Sequence, residues 1–246
     1  MVIIFIISFI VILIFLSTKN RELFNNKNNN LELSPNLSKK DIEDIKKGQK
    51  LMTDMFREFD RICRKYKLKY WCHGGTLLGV IRHKGWIPWD GDIDVNMPES
   101  DYKQLQNIIK KELPNELWFQ DNTVDKYYKS DIGKIRILNS NYKDYKDRSW
   151  HNGLQLDIFI NRYRDGIYTN FVEGYKFKRE AIFPLKEKMF DNIKVFVPNN
   201  YKYVLEKLFN KDYMVYLPLN KRIPHEGRME LVAPTWMKEK YSELYK

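Results

Sequence analysis

Asp92 and Asp94 stand one residue apart in the stretch Ile87-Pro88-Trp89-Asp90-Gly91-Asp92-Ile93-Asp94. Strand side chains alternate faces, so the two carboxylates are expected on one face while Ile93 and Val95 take the other. Carboxylates aimed at one point repel each other unless a cation lies between them. Oxygen-only donors suit Mg²⁺ or Mn²⁺, and Mg²⁺ is usually held by one or two carboxylates together with substrate phosphates. Upstream, Trp71-Cys72-His73 runs into Gly74-Gly75, and paired glycines let backbone N–H groups come close to a phosphate. The chemistry this pattern points to is metal-assisted phosphoryl transfer. A third carboxylate, Asp157, sits inside Leu156-Asp157-Ile158-Phe159, where an unpaired charge is costly. It is the natural third ligand beside Asp92 and Asp94.

Other groups have two readings each. Lys134 and Arg136 are two apart on one strand face, fit either to clamp phosphate or to form a solvated face. His73 could donate to a phosphate or make a structural hydrogen bond beside the turn. Asp90 could orient a ligand or only shape the turn, and the turn is preferred. Arg82 and His83 read as a solvated basic loop. His151 and His225 lack metal-ligand partners at useful spacing.

Several elements must position these residues. Ile42, Ile45, Leu51, Met52, Met55, Phe56, Phe59 and Ile62 recur at helical spacing, which predicts a core-facing helix over about 39–66. Ser38 followed by Asp41 resembles an N-cap with an acid at N3. Strands are expected at 70–73, 92–97, 118–119, 134–138, 154–160 and 189–197, with helices at 76–81, 101–113 and 201–209. The helix starting at Thr76 turns its N–H groups back toward the glycine turn, a natural anion site. The order of elements indicates an α+β fold, a mixed β-sheet flanked by helices.

The 246 residues suffice for one sizeable domain, and the 43% hydrophobic content gives it a core. A formal charge of +11 favours anionic partners. Val2 to Leu16 is an apolar run broken only by Ser8. With Ser17 and Thr18 it makes a marginal membrane span without a cleavage site, read as an uncleaved signal anchor over 1–18. That reading makes the protein single-pass and membrane-anchored. Lys19, Arg21 and Lys27 follow the run and favour a cytosolic domain; a lumenal domain, of ER or Golgi type, is the competing arrangement. Asn36-Leu37-Ser38 would be a glycosylation acceptor only in the lumenal case. Residues 19–37 read as an Asn-rich flexible linker, and 38–246 as the catalytic domain. Cys63 and Cys72 could form one bridge but more often are small buried residues.

Gly74-Gly75-Thr76-Leu77-Leu78-Gly79, the Pro88-Trp89-Asp90 frame with Asp92 and Asp94, and Leu156-Asp157-Ile158-Phe159 closely resemble the LicD family, which includes fukutin and fukutin-related protein. Ile182-Phe183-Pro184-Leu185 and Val197-Pro198-Asn199-Asn200-Tyr201 look like its C-terminal signature. The resemblance implies a nucleotidyltransferase-like fold. It also implies transfer of a phosphorylated alcohol, such as phosphocholine or ribitol phosphate, from a CDP-linked donor to a glycan hydroxyl, with release of CMP. Asp92, Asp94 and Asp157 would bind metal, with Asp157 alternatively taking the acceptor proton. Gly74, Gly75 and Thr76, with Lys134 and Arg136, would hold donor phosphate. The zinc-binding insertion of fukutin-related protein has no counterpart here. Two rival readings stand beside this one. Nucleotide addition to RNA or a small molecule suits the basic charge, but no RNA-binding module is visible and nucleic acid is not the expected partner. A degenerate glycan-binding protein would have no need of all three acids.

Overall fold

The computed structural model describes residues 33–138, 140–142, 153–224, 231–232 and 239. The expected anchor at 1–18, most of the expected linker, His151 and His225 lie outside these residues. No helix among the described residues is long and apolar enough to cross a membrane.

The expected first helix is α1, Lys39–Lys65. Ser38 Oγ accepts from the Asp41 N–H while the Asp41 carboxylate accepts from the Ser38 N–H, closing the capping box at its start. Ile45, Met52, Phe56, Phe59 and Ile62 are fully buried along one face. They reach an aromatic cluster in which Phe59 and Tyr70 meet edge-on at 5.0 Å and Phe56 meets Phe190 at 5.8 Å. Cys63 and Cys72 are buried and unbridged. The packed chain begins before Ser38: Ser34 is buried, and its N–H donates to the Arg222 carbonyl.

After α1 come β1 (Trp71–Cys72), α2 (Gly74–Arg82), β2 (Ile93–Pro98), α3 (Glu99–Glu112), β3 (Leu117–Gln120), β4 (Gly133–Ile137), β5 (Asn141–Tyr142), β6 (Gln155–Arg164), β7 (Ile167–Asn170), β8 (Lys176–Lys178), α4 (Arg179–Ile182), β9 (Lys186–Phe190), β10 (Ile193–Val197), α5 (Tyr201–Phe209) and β11 (Leu231–Val232). The expected strand at 189–197 is therefore a hairpin. Asp191 takes a positive φ of 50°, a backbone state Asp tolerates, and the chain reverses there.

The main sheet runs β1-β2-β6-β4-β3, with β7 on the far half of β6 and β8 beyond it. β2 and β6 are parallel, and the other pairs are antiparallel. α1 and α3 pack against the β2–β6 centre. The fold is thus a mixed α+β sheet flanked by helices, as the order of elements indicated.

Candidate active site

Sheet register brings the acids together. Asp94 on β2 is the direct neighbour of Asp157 on β6, and Lys134 on β4 is opposite Asp157. Residues paired across adjacent strands project to the same face, so Asp94, Asp157 and Lys134 form a row across three strands. Asp92 lies one residue before β2 and joins from the side. One oxygen from each of Asp92, Asp94 and Asp157 lies within 4.8 Å of the others. Burial pushes the Asp94 carboxyl well above the usual carboxylate range, and Asp92, Asp157 and Asp90 push it further, against the pull of Lys134. An all-oxygen donor set at this spacing, its mutual repulsion offset only in part by Lys134 on Asp157, fits a hard divalent cation.

The glycine pair has a sharper role than an open turn. Gly74 takes φ +48°, and a Cβ there would stand 2.9 Å from Asp94 Oδ2. At Gly75 a Cβ would stand 2.7 Å from Asp90 Oδ2. The first turn of α2 therefore faces carboxylates on both residues, and its unpaired N–H groups favour negative charge there. Thr76 is buried, and its Oγ1 accepts from the Asp94 N–H at 2.8 Å. It fixes the backbone that carries Asp94.

Lys134 and Arg136 form neither a solvated face nor an open clamp: both are buried. Lys134 Nζ donates to both Asp157 oxygens. Arg136 donates to the Gln120 and Gln155 side-chain oxygens. Short distances across β3, β4 and β6 hold both cations inside the sheet. His73 likewise takes the structural option. Its Nε2 pairs with Glu173, its ring packs against Phe159 at 5.1 Å, and Nδ1 is buried without a partner.

The basic loop after α2 is the larger correction. Gly75, Asp90, Asp92 and Asp94 line a cavity of about 390 Å³ together with Arg82, Trp89, Phe209, Tyr213, Val215 and Leu217, while Asp157 lies behind them in the sheet, outside its lining. Arg82 donates to the Tyr213 and Val215 carbonyls at 2.9 and 3.1 Å and stacks on Tyr216. Its Nε is buried with no hydrogen-bond partner. His83 packs edge-on to Trp89 and Tyr216 with neither ring nitrogen bonded. Burial, then Arg82 and Arg222, pushes its imidazole down to about 4. Two cavities of about 690 and 450 Å³ touch none of the three acids; the site is identified by its chemistry, not by size.

Sequence reasoning missed Gln49 and the segment after α5. The buried Gln49 amide donates to the carbonyls of Ile87, Pro88 and Asp90 at 3.1, 3.4 and 2.9 Å, bracing the loop that delivers Asp90 and Asp92. A polar residue between Ile45 and Met52 on an apolar stripe was its signal. Residues 210–224 carry no periodic pattern to reveal that they wall the cavity.

Comparison with known proteins agrees with this geometry. Residues 67–200, more than half the chain, match the family model described as LicD/FKTN/FKRP, nucleotidyltransferase domain. The chain is 30% identical over 155 residues to lipopolysaccharide cholinephosphotransferase LicD of Haemophilus influenzae, covering 58% of this chain and 50% of that protein. It is 25% identical over 147 residues to ribitol 5-phosphate transferase FKRP of Homo sapiens, covering 58% of this chain and 28% of that protein. An uncharacterized Rickettsia prowazekii protein is 27% identical over 207 residues, covering 76% of this chain and 68% of its own length. The chain thus spans half or less of the two named transferases. The matched segment holds the glycine turn and all three acids, and the chain belongs to the LicD family.

Proposed function

We propose that this chain transfers a phosphorylated alcohol, of the phosphocholine or ribitol phosphate type, from a CDP-linked donor to a hydroxyl of a glycan or glycoconjugate, releasing CMP. The observation that carries this reading is the cluster of Asp92, Asp94 and Asp157, two of which, Asp92 and Asp94, line a cavity that Arg82 also lines. The two named relatives transfer phosphocholine and ribitol 5-phosphate by their names, which supports the cargo class.

Asp92, Asp94 and Asp157 would hold Mg²⁺ or Mn²⁺, which when bound neutralises charge on the donor diphosphate. Lys134 keeps Asp157 oriented through its paired donation to both carboxylate oxygens. Arg82, which lines the cavity where the buried Lys134 and Arg136 do not, would be the cation that meets the donor phosphates, held in place by two backbone carbonyls. The acceptor oxygen attacks the phosphorus that carries the alcohol, and the bond from that phosphorus to the CMP oxygen breaks. Asp90 lines the cavity outside the three-acid cluster, which supports a role in which its carboxylate would accept the hydroxyl proton. The apolar run at 2–16 holds the chain at a membrane.

The test combines turnover with stability. Full-length protein with Mg²⁺ should release CMP from CDP-choline, CDP-ribitol or CDP-glycerol in the presence of a glycan acceptor. Asp94→Asn should lower that rate by at least about 100-fold. Without metal the same variant should be no less stable than the parent, because a repulsive charge is gone. Mg²⁺ at roughly 100 times its dissociation constant should stabilise the parent by about 2.7 kcal/mol and the variant by far less. Undiminished turnover in Asp94→Asn would sink the assignment. Incorporation of the nucleotide itself into RNA would replace it with nucleotidyl transfer.

A further inference from the structure

The segment after α5 has a feature that catalysis does not use. Phe209, Met214, Val215, Leu217, Leu219 and Ile223 are 36–67% exposed, so six large apolar side chains face outward within fifteen consecutive residues. An apolar ridge this concentrated marks a contact surface. Lys207 near the end of α5, and Lys211 and Lys221 beyond it, are exposed, outnumbering the exposed Asp212 between them. Two observations say what covers it. The N-terminal side of the described chain is fastened here, through the Ser34 N–H on the Arg222 carbonyl. Only residues 17–33 separate that point from the apolar run at 2–16. A chain of seventeen residues reaches roughly 60 Å at full extension, and a random coil of that length spans roughly 20–25 Å. A membrane-lodged N-terminus would therefore keep this part of the surface close to lipid.

We propose that the ridge at 209–223 docks on an anionic lipid bilayer, its apolar side chains entering the interface and its lysines meeting lipid phosphates. The proposal rests on the membrane reading given above. Phe209, Val215 and Leu217 belong both to the ridge and to the cavity wall. Docking would thus turn the cavity mouth toward the lipid plane, where a membrane-borne glycoconjugate is presented.

Depth-dependent quenching tests this on the full chain in phosphatidylcholine–phosphatidylserine vesicles. Cys63 and Cys72 are both fully buried and leave an introduced cysteine as the reactive thiol. A dye at Val215→Cys or Leu219→Cys should lose fluorescence to spin-labelled lipid. The same dye at Tyr127→Cys, 68% exposed but distant in sequence, should not. Flotation with vesicles but no quenching at 215 or 219 would overturn the ridge and leave the anchor standing. Absence of flotation would overturn both. Equal quenching at all three positions, or a dye at 215 and 219 already shielded without lipid, would also overturn the proposal, the last by showing that the chain covers its own ridge.

Discussion

Gly75 and Asp90 illustrate how closely single atoms set this site. The space a Cβ would occupy at Gly75 is already taken by Asp90 Oδ2 at 2.7 Å. Gly75→Ala should therefore push Asp90 aside and destabilise the protein by about 1–3 kcal/mol, a typical cost of overpacking. Asp90→Ala should restore much of that stability in the double variant without restoring turnover. Denaturant unfolding of the two single variants and the double variant measures the coupling; strict additivity would show that the two residues do not meet. The residues that could do chemistry were legible in the sequence because a carboxylate in an apolar strand is conspicuous. Their partners were not. Lys134 and Arg136 read from the sequence as either a phosphate clamp or a solvated face, and only the sheet puts a carboxylate opposite one and glutamines around the other.

At the scale of elements, the helix α1 does more than bury an apolar stripe. Gln49 ties it to the loop before β2 through three carbonyls, and the Trp86 indole N–H donates to Thr53 Oγ1 on the same helix. Within the loop the Asp90 N–H donates to the Ile87 carbonyl, and the Gln49 bracing fixes against α1 the turn from which Asp90 and Asp92 emerge. Gln49→Leu takes the side-chain donor from the part-buried Pro88 and Asp90 carbonyls, while the Ile87 carbonyl keeps the Asp90 N–H, and should cost about 1–3 kcal/mol. It should also lower turnover while Phe59→Leu, a core change on the same helix but away from the loop, spares it in proportion to stability. Equal turnover per folded molecule in both variants would argue against bracing. Periodicity placed α1, α2, α3 and α5 well, because amphipathic helices show their period locally. β7, β8 and α4 are short and take their form from neighbouring elements, so nothing in their residues announced them.

For the whole molecule, stability is linked to pH through His83. The folded imidazole is pushed down to about 4 by burial ahead of Arg82 and Arg222, whereas an unfolded histidine titrates near 6.5. Between those values the unfolded chain binds a proton that the folded one refuses, so stability falls as pH drops from about 6.5 to about 4. Urea midpoints at about pH 7.5 and about pH 5 should differ more for the parent than for His83→Asn. An identical difference in both proteins would remove His83 from the account. Since His83 packs on Trp89 and Tyr216, its protonation also loosens the cavity wall, and acid should weaken the site together with the fold.

The sequence alone singled out the three carboxylates and the glycine turn as candidates, and determined the principal helices and the membership of a family, because each is written in residue type and short-range spacing. Only the tertiary structure decided how those parts meet. The parallel register of β2 and β6 makes Asp94 and Asp157 neighbours across more than sixty residues of chain. The glycine pair proved to be spacing for two carboxylates, Arg82 proved to face the cavity, and a C-terminal segment without pattern proved to wall it. Long-range contacts depend on register and packing, which no local spacing records.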